Sequence, residues 1–280
     1  MKTVSIPTDQ GSFHAHMLGE QGSWVICWPA QPNDYRSMLE FAKLISHQHR
    51  VLICEPLGIG ANQHLPYSNK VAHSALYAKH VFVYLGIEAC HWVGQSAGGA
   101  VGAAICTAAP ARILSLTLAS APMLRQGRFL MAATFSTAVL SSSSWGRALL
   151  LKRSIKLLGY SGQAQKSLLL QYLQTMFDAT PPKTIRKLRP LDGESVRAVF
   201  DKLRMKPPPS MVICGQFDSV VLPRDQRTVA ETLRAKYVEL PSGHLSMLAM
   251  PQECADAFLS FAAQHSAALR DSQRVPLNAL

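Results

Sequence analysis

The segment Gly94-Gln95-Ser96-Ala97-Gly98-Gly99 sets one serine among small residues. A Gly-x-Ser-x-Gly turn between a strand and a helix bends too sharply for bulky neighbours, and it presents its serine in a strained conformation. The stretch that follows, Ala97 to Ala108, is rich in Ala and Gly, so its N-terminal amides approach the turn closely and favour negative charge there. A serine of this kind acts as a nucleophile when a general base serves it and an acid orients that base. Downstream, Asp218 closes the segment Gly215-Gln216-Phe217-Asp218, and His244 closes Pro241-Ser242-Gly243-His244. Each follows a strand-like run, Met211–Cys214 for the acid and Lys236–Leu240 for the histidine. Ser96, Asp218 and His244 thus all fall just past strands, on the edge where open α/β sheets form their sites. The chemistry is nucleophilic attack by a serine hydroxyl.

Those positions require a sheet beneath them. Gly22 to Trp28, with Trp24-Val25-Ile26-Cys27-Trp28 at its centre, reads as a strand covered on both faces, as do Arg50–Cys54, Cys90–Val93 and Ser115–Ala119. Between them Tyr35 to His47 carries Met38, Leu39, Ala42 and Ile45 at helical spacing, and Val71–Leu85 and Ala97–Ala108 also read as helices. The alternation predicts an α/β fold with a mostly parallel central sheet. From Pro122 to Pro208 the strand-like runs vanish, while Ala148–Leu158 and Ala164–Phe177 have helical periodicity. Met211–Cys214 then resumes the sheet, Lys236–Leu240 is the last strand and Gln252 to His265 the last helix. The tail after Ser266 is polar and expected to fray. The expected organisation is a core in two parts, 1–121 and 209–280, interrupted before the acid-bearing strand by a helical cap at 122–208. No internal repeat is visible.

With the Gly94–Gly98 turn, the Gly215–Asp218 turn and the Gly243-His244 pair in place, nearly the whole chain resembles the α/β-hydrolase superfamily. The layout is similar to its capped esterase and enol-lactonase branches, the pimeloyl carrier-protein methyl ester esterases among them. The resemblance implies a Ser96–His244–Asp218 triad. In that scheme Ser96 attacks a carbonyl carbon, His244 takes and returns the proton, and Asp218 fixes the His tautomer and stabilises the imidazolium. The loop Glu55-Pro56-Leu57-Gly58-Ile59-Gly60 is similar to the family's acidic, glycine-rich turn and reads as structural. One departure concerns the oxyanion hole, where the family's His-Gly is replaced by Trp28-Pro29-Ala30. Pro29 has no N–H, so the expected donors are the backbone amides of Ala30 and Ala97. Trp28 and Gln95 are the residues expected at the substrate pocket.

The implied activity is that of a cofactor-free serine hydrolase cleaving a carboxylic ester or thioester through an acyl-enzyme on Ser96. A membrane-associated lipid esterase, a carbon–carbon bond hydrolase and a catalytically silent binding module remain open beside it. No phosphate loop is present, and Gly58-Ile59-Gly60 lacks the third glycine of a dinucleotide fingerprint, so no cofactor is assigned. His14-Ala15-His16 and His47-Gln48-His49 have no third ligand nearby in sequence, so no metal is expected and both pairs read as solvent-facing. His91 is expected to pack or hydrogen-bond within the core. Asp225, inside the helix predicted at Pro223–Leu233, is a poorer acid than Asp218. The six cysteines (27, 54, 90, 106, 214 and 254) lack Cys-x-x-Cys spacing, and four lie in apolar strand-like runs where free Cys behaves as a small hydrophobe. Met1 to Phe13 contains no apolar leader core, and no uncharged apolar run reaches the ~20 residues of a membrane span. The longest, Phe129–Leu140, stops at Ser141. A reduced, cytoplasmic setting is expected.

Composition sharpens the substrate question. Of 280 residues, 48% are hydrophobic and 16% charged, which excludes intrinsic disorder. The formal net charge is +11, from 28 Lys and Arg against 17 Asp and Glu. All of that excess falls within 122–208, which holds 15 basic and 4 acidic residues, while the remainder is balanced at 13 of each. Charge so placed suits an anionic acyl substrate, an acidic carrier protein or an anionic membrane surface, and attraction of this kind weakens with salt. Without a recognised module or an aromatic-interleaved basic stretch, nucleic acid is not an expected partner.

Overall fold

In the computed structural model, which describes residues 1–124, 144–180, 184 and 189–266, eight strands form a single sheet. In chain order these are β1 (Lys2–Thr8), β2 (Gly11–Leu18), β3 (Trp24–Trp28), β4 (Arg50–Cys54), β5 (Cys90–Gln95), β6 (Ile113–Ala119), β7 (Ser210–Gly215) and β8 (Lys236–Leu240). The helices are α1 (Leu39–Ile45), α2 (Val71–Tyr84), α3 (Ala97–Ala108), α4 (Ser144–Leu158), α5 (Gln163–Ala179), α6 (Gly193–Leu203), α7 (Pro223–Leu233), α8 (Ser246–Ala249) and α9 (Pro251–Ser266). The spatial strand order is β1-β2-β4-β3-β5-β6-β7-β8. From β4 to β8 every neighbouring pair is parallel, and the β1–β2 hairpin joins antiparallel through β2 and β4.

Parallel strands buried on both faces need helices on both sides, and the side chains divide accordingly. Val25, Cys27, Val51, Ile53, Met211 and Ile213 point toward α1 and α9, where Phe41 and Phe258 meet edge to face with ring centroids 5.8 Å apart. Ile26, Trp28, Leu52 and Trp92 point the other way, into a larger cluster with α2, α3, α6 and α7. The α6 residues Val196, Phe200 and Leu203 recur at helical spacing and fill that cluster beside α3. This helix lies within the span 122–208 expected as a cap, yet its apolar stripe packs in the layer behind the sheet. A third cluster gathers α4 and α5, through Leu150, Ile155, Leu169, Leu173 and Met176, against Ala30, Ile59, Leu245 and Leu248. The inserted helices α4 and α5 therefore sit on the loops that leave the sheet's carboxyl edge. The expected Phe129–Leu140 run and the tail beyond Ser266 lie outside the described residues.

Candidate active site

β5 delivers Ser96 directly into α3. From Cys90 to Cys106 every residue is buried except Ser96, which is half-buried. Its backbone sits at φ 51° and ψ −116°, a region in which a non-glycine residue stores about 1–3 kcal/mol of strain. The surroundings hold it there. The Ser96 amide donates to the Ala119 carbonyl at 2.7 Å, and its own carbonyl accepts from the Gly99 amide at 3.0 Å. A Cβ on Gly94 would come within 2.3 Å of the Gly98 carbonyl, and one on Gly98 within 2.0 Å of the Trp28 carbonyl oxygen. Both glycines of the turn are thus required by close backbone approach.

Asp218 follows β7 and His244 follows β8, and the two side chains meet. His244 Nδ1 lies 2.9 Å from Asp218 Oδ2, with the residues only 4% and 2% exposed. A carboxylate accepts, so Nδ1 carries the hydrogen and Nε2 presents its lone pair. Asp218 is held by further donors. The Val220 and Val221 amides reach its Oδ1, each at 2.9 Å, and Gln226 Nε2 reaches its Oδ2 at 3.2 Å. This carboxylate cannot turn away from the imidazole without breaking several bonds together.

The backbone of His244 is gripped from both sides. Its amide donates to the Leu158 carbonyl, at the end of α4, at 2.6 Å. Its carbonyl accepts from Gln95 Nε2 at 3.1 Å, which ties the histidine loop to the residue before Ser96. The turn after α4 reaches the acid loop as well, since the Ser219 hydroxyl donates to the Leu157 carbonyl. Gly159 takes φ 74° there, and a Cβ on it would lie 2.0 Å from the Phe217 carbonyl oxygen. A Cβ on Gly243 would lie 2.0 Å from the Leu158 carbonyl oxygen.

Ala30 lies just beyond β3, buried, with its carbonyl accepting the Asn33 amide at 2.7 Å. Ala97 opens α3, so its amide is one of those a helix leaves without an internal acceptor. The Trp28 and Pro29 carbonyls both lie against Gly98, which brings the Ala30 loop up to the turn containing Ser96.

Residues 23–249 match the alpha/beta hydrolase fold family. The chain belongs to that family. No curated protein matches it by sequence. Among solved structures, a thermophilic esterase from Thermogutta terrifontis superposes with a TM-score of 0.76 at 18% identity, covering 95% of this chain and all of the other. An enol-lactonase from Burkholderia xenovorans gives 0.76 at 19% identity, covering 94% and 100%. A meta-cleavage product hydrolase from Pseudomonas fluorescens gives 0.76 at 18% identity, covering 93% and 97%.

In this α/β-hydrolase fold several residues depart from their expected places. Trp28 was expected at the pocket, but its ring is buried between Phe13 and Trp92, with centroids 6.0 and 5.7 Å away. That side chain belongs to the core. Gln95 is fully buried as well and serves the His244 carbonyl rather than lining a cavity. The histidine pairs are not solvent-facing as pairs. His16 is buried with Nε2 3.2 Å from Glu55 Oε1, and His49 is buried with Nδ1 3.0 Å from Ser23 Oγ. His91 packs in the core, as its sequence context suggests, 2.8 Å from Ser115 Oγ, and burial pushes it down to about 3. Glu55 also accepts the Ala61 amide at 2.5 Å, and a Cβ on Gly60 would strike its carboxylate, in keeping with a structural loop. Asp225 faces Arg224 at 3.7 Å. Among the described residues no three His, Cys, Asp or Glu side chains gather to hold a metal, and no helix is long and apolar enough to cross a membrane.

Two contributors escaped the sequence reading. Gln226 shares its face of α7 with Val229, Ala230 and Leu233, so a polar residue in phase with an apolar stripe was the available signal. The Leu158–Gly159 turn offered only its glycine, placed where a helical pattern ends.

Proposed function

We propose that the chain is a serine hydrolase that cleaves a carboxylic ester or thioester without a cofactor. The observation that carries this reading is the half-buried Ser96, strained at φ 51° in an otherwise buried segment, whose neighbour Gln95 is bonded to the histidine of a buried His–Asp pair. In the proposed cycle His244 Nε2 takes the Ser96 proton as Oγ attacks the substrate carbonyl. The imidazolium is stabilised by Asp218 and then protonates the departing alkoxide or thiolate. The Ala30 and Ala97 amides donate to the oxyanion of the tetrahedral intermediate. Water, activated by the same histidine, attacks the acyl-enzyme, and Ser96 leaves with its proton restored. The names of the esterase and enol-lactonase neighbours accord with acyl chemistry.

The residues of the proposed cap favour acidic acyl groups or acyl groups on an acidic carrier. Lys152, Arg153 and Lys156 are exposed along α4, a helix with no Asp or Glu. Their field attracts anionic substrate and is screened by salt within about 8 Å at physiological ionic strength.

A fluorophosphonate probe tests the assignment. Wild type becomes covalently labelled, while Ser96→Ala and His244→Ala do not, and equal labelling of wild type and Ser96→Ala would overturn it. A panel of neutral and carboxylate-bearing esters then reads the charge preference. Added salt should lower kcat/KM for the anionic members alone, and an equal fall across the panel excludes steering by the helix.

A further inference from the structure

The residue between Gly94 and Ser96 is the least expected one in β5. Its neighbours on the same strand face, His91 and Val93, sit against the α1 and α9 layer, and Gln95 continues that row at the strand's carboxyl end. It is 0% exposed. Its Nε2 lies 3.1 Å from the His244 carbonyl oxygen. That carbonyl only accepts, so the amide nitrogen must face it, and Oε1 points the other way. Among the described residues Oε1 is buried and finds no hydrogen-bond partner.

An unsatisfied buried acceptor costs stability, but an apolar side chain of the same length would remove that cost only by leaving the buried His244 carbonyl without its donor, so the two effects offset. Gln95 thus adds little net stability while holding one particular carbonyl. The His244 peptide is fixed at its other end by Leu158, so the imidazole projects from a peptide clamped on both sides. One clamp comes from the inserted helix and the other from the residue adjoining the nucleophile. A direct tie between the Ser96 strand and the His244 backbone sets the spacing of the two loops, and displacements of about 1 Å at reacting groups cost up to roughly a hundredfold in rate.

We infer that Gln95 is a positioning residue, retained for its bond to the His244 carbonyl and the placement this gives the imidazole rather than for fold stability. The inference rests on the reading of Ser96 and His244 above. Turnover should therefore fall far more than stability when the bond alone is removed.

Gln95→Met keeps the length and volume of the side chain, and Gln95→Leu provides a second apolar variant should the first pack poorly. Three quantities are measured on each: Tm, the kcat and KM for an ester substrate, and the rate of fluorophosphonate labelling. The expected result is a Tm within a few degrees of wild type, KM unchanged, and kcat and labelling rate lowered roughly ten- to a hundredfold. Unchanged kcat and labelling in a folded variant overturn the inference. A large loss of Tm alongside kcat in both variants also overturns it, because a structural role then explains the residue. If wild type itself fails to label, the nucleophile reading has failed and the role of Gln95 falls with it. That outcome is distinguished by the silence of the unmodified protein.

Discussion

The Leu158 carbonyl, at the end of α4, accepts the His244 amide hydrogen at 2.6 Å. The inserted helix thus holds the backbone of the proposed base. Gly159→Ala should disturb this link, because its backbone is left-handed at φ 74° and the new Cβ would lie 2.0 Å from the Phe217 carbonyl oxygen. The backbone conformation alone costs an L-residue about 1–2 kcal/mol. Thermal melting should show a drop of a few degrees, and steady-state kinetics a fall in kcat of at least roughly tenfold. A variant with lowered Tm and unchanged kcat would separate the turn from catalysis.

Asp218→Asn keeps the shape of the acid but places an amide where His244 Nδ1–H donates. The imidazole is then driven toward the wrong tautomer. Turnover should fall by roughly ten-thousandfold with the fold intact. Gln226→Leu leaves the Val220 and Val221 bonds to Oδ1 in place and should cost far less. Comparing the two kcat values tests whether the carboxylate or its orientation dominates.

Gly98→Ala would set a Cβ 2.0 Å from the Trp28 carbonyl oxygen and push the Ala30 loop away from the turn. If the Ala30 amide is an oxyanion donor, this variant loses about 2.7–4 kcal/mol of transition-state stabilisation, seen mainly in kcat. A change confined to KM would argue for a role in substrate binding instead.

His91 carries a pH dependence of stability. Its pKa is pushed from the ordinary 6.5 down to about 3, chiefly by burial, with His49 and His265 adding to the effect. The unfolded chain therefore takes up a proton between those values that the folded one refuses. Stability is whole above 6.5 and falls toward pH 3, by up to about 1.4 kcal/mol per unit from this group. Urea midpoints at pH 7, 5 and 4 should decline, and less steeply in His91→Asn. Equal slopes in both proteins would assign the acid sensitivity to other groups.

What was legible in the chain follows from what is local. The β3 and β4 strands coincide with their apolar runs, because a buried parallel strand has no need of polar alternation. The candidates Ser96 and Asp218 were readable for the same reason, since each follows such a run, whereas His244 follows the partly exposed edge strand β8. The β1–β2 hairpin was not readable as part of the sheet: β1 buries only Ile6, and in β2 an inward-facing His16 breaks the pattern. His16 and His49 were misjudged because their partners, Glu55 and Ser23, lie 39 and 26 residues away along the chain. Gln95 was assigned to a pocket when its true partner is the His244 carbonyl, 149 residues distant. Short-range pattern locates strands and turns, whereas polar pairing across the sheet emerges only once the strands are ordered.

All six thiols are free and buried, and burial raises the pKa of each. They are spread over β3, β4, β5, α3, β7 and α9. Alkylating reagents attack thiolates, so each cysteine can react only when its own part of the molecule opens. The protein thereby carries a built-in set of clocks. Mass-resolved alkylation over time, with no engineered label, would rank the strands and helices by how readily each breathes, and would reveal whether the two halves of the sheet loosen together or in turn.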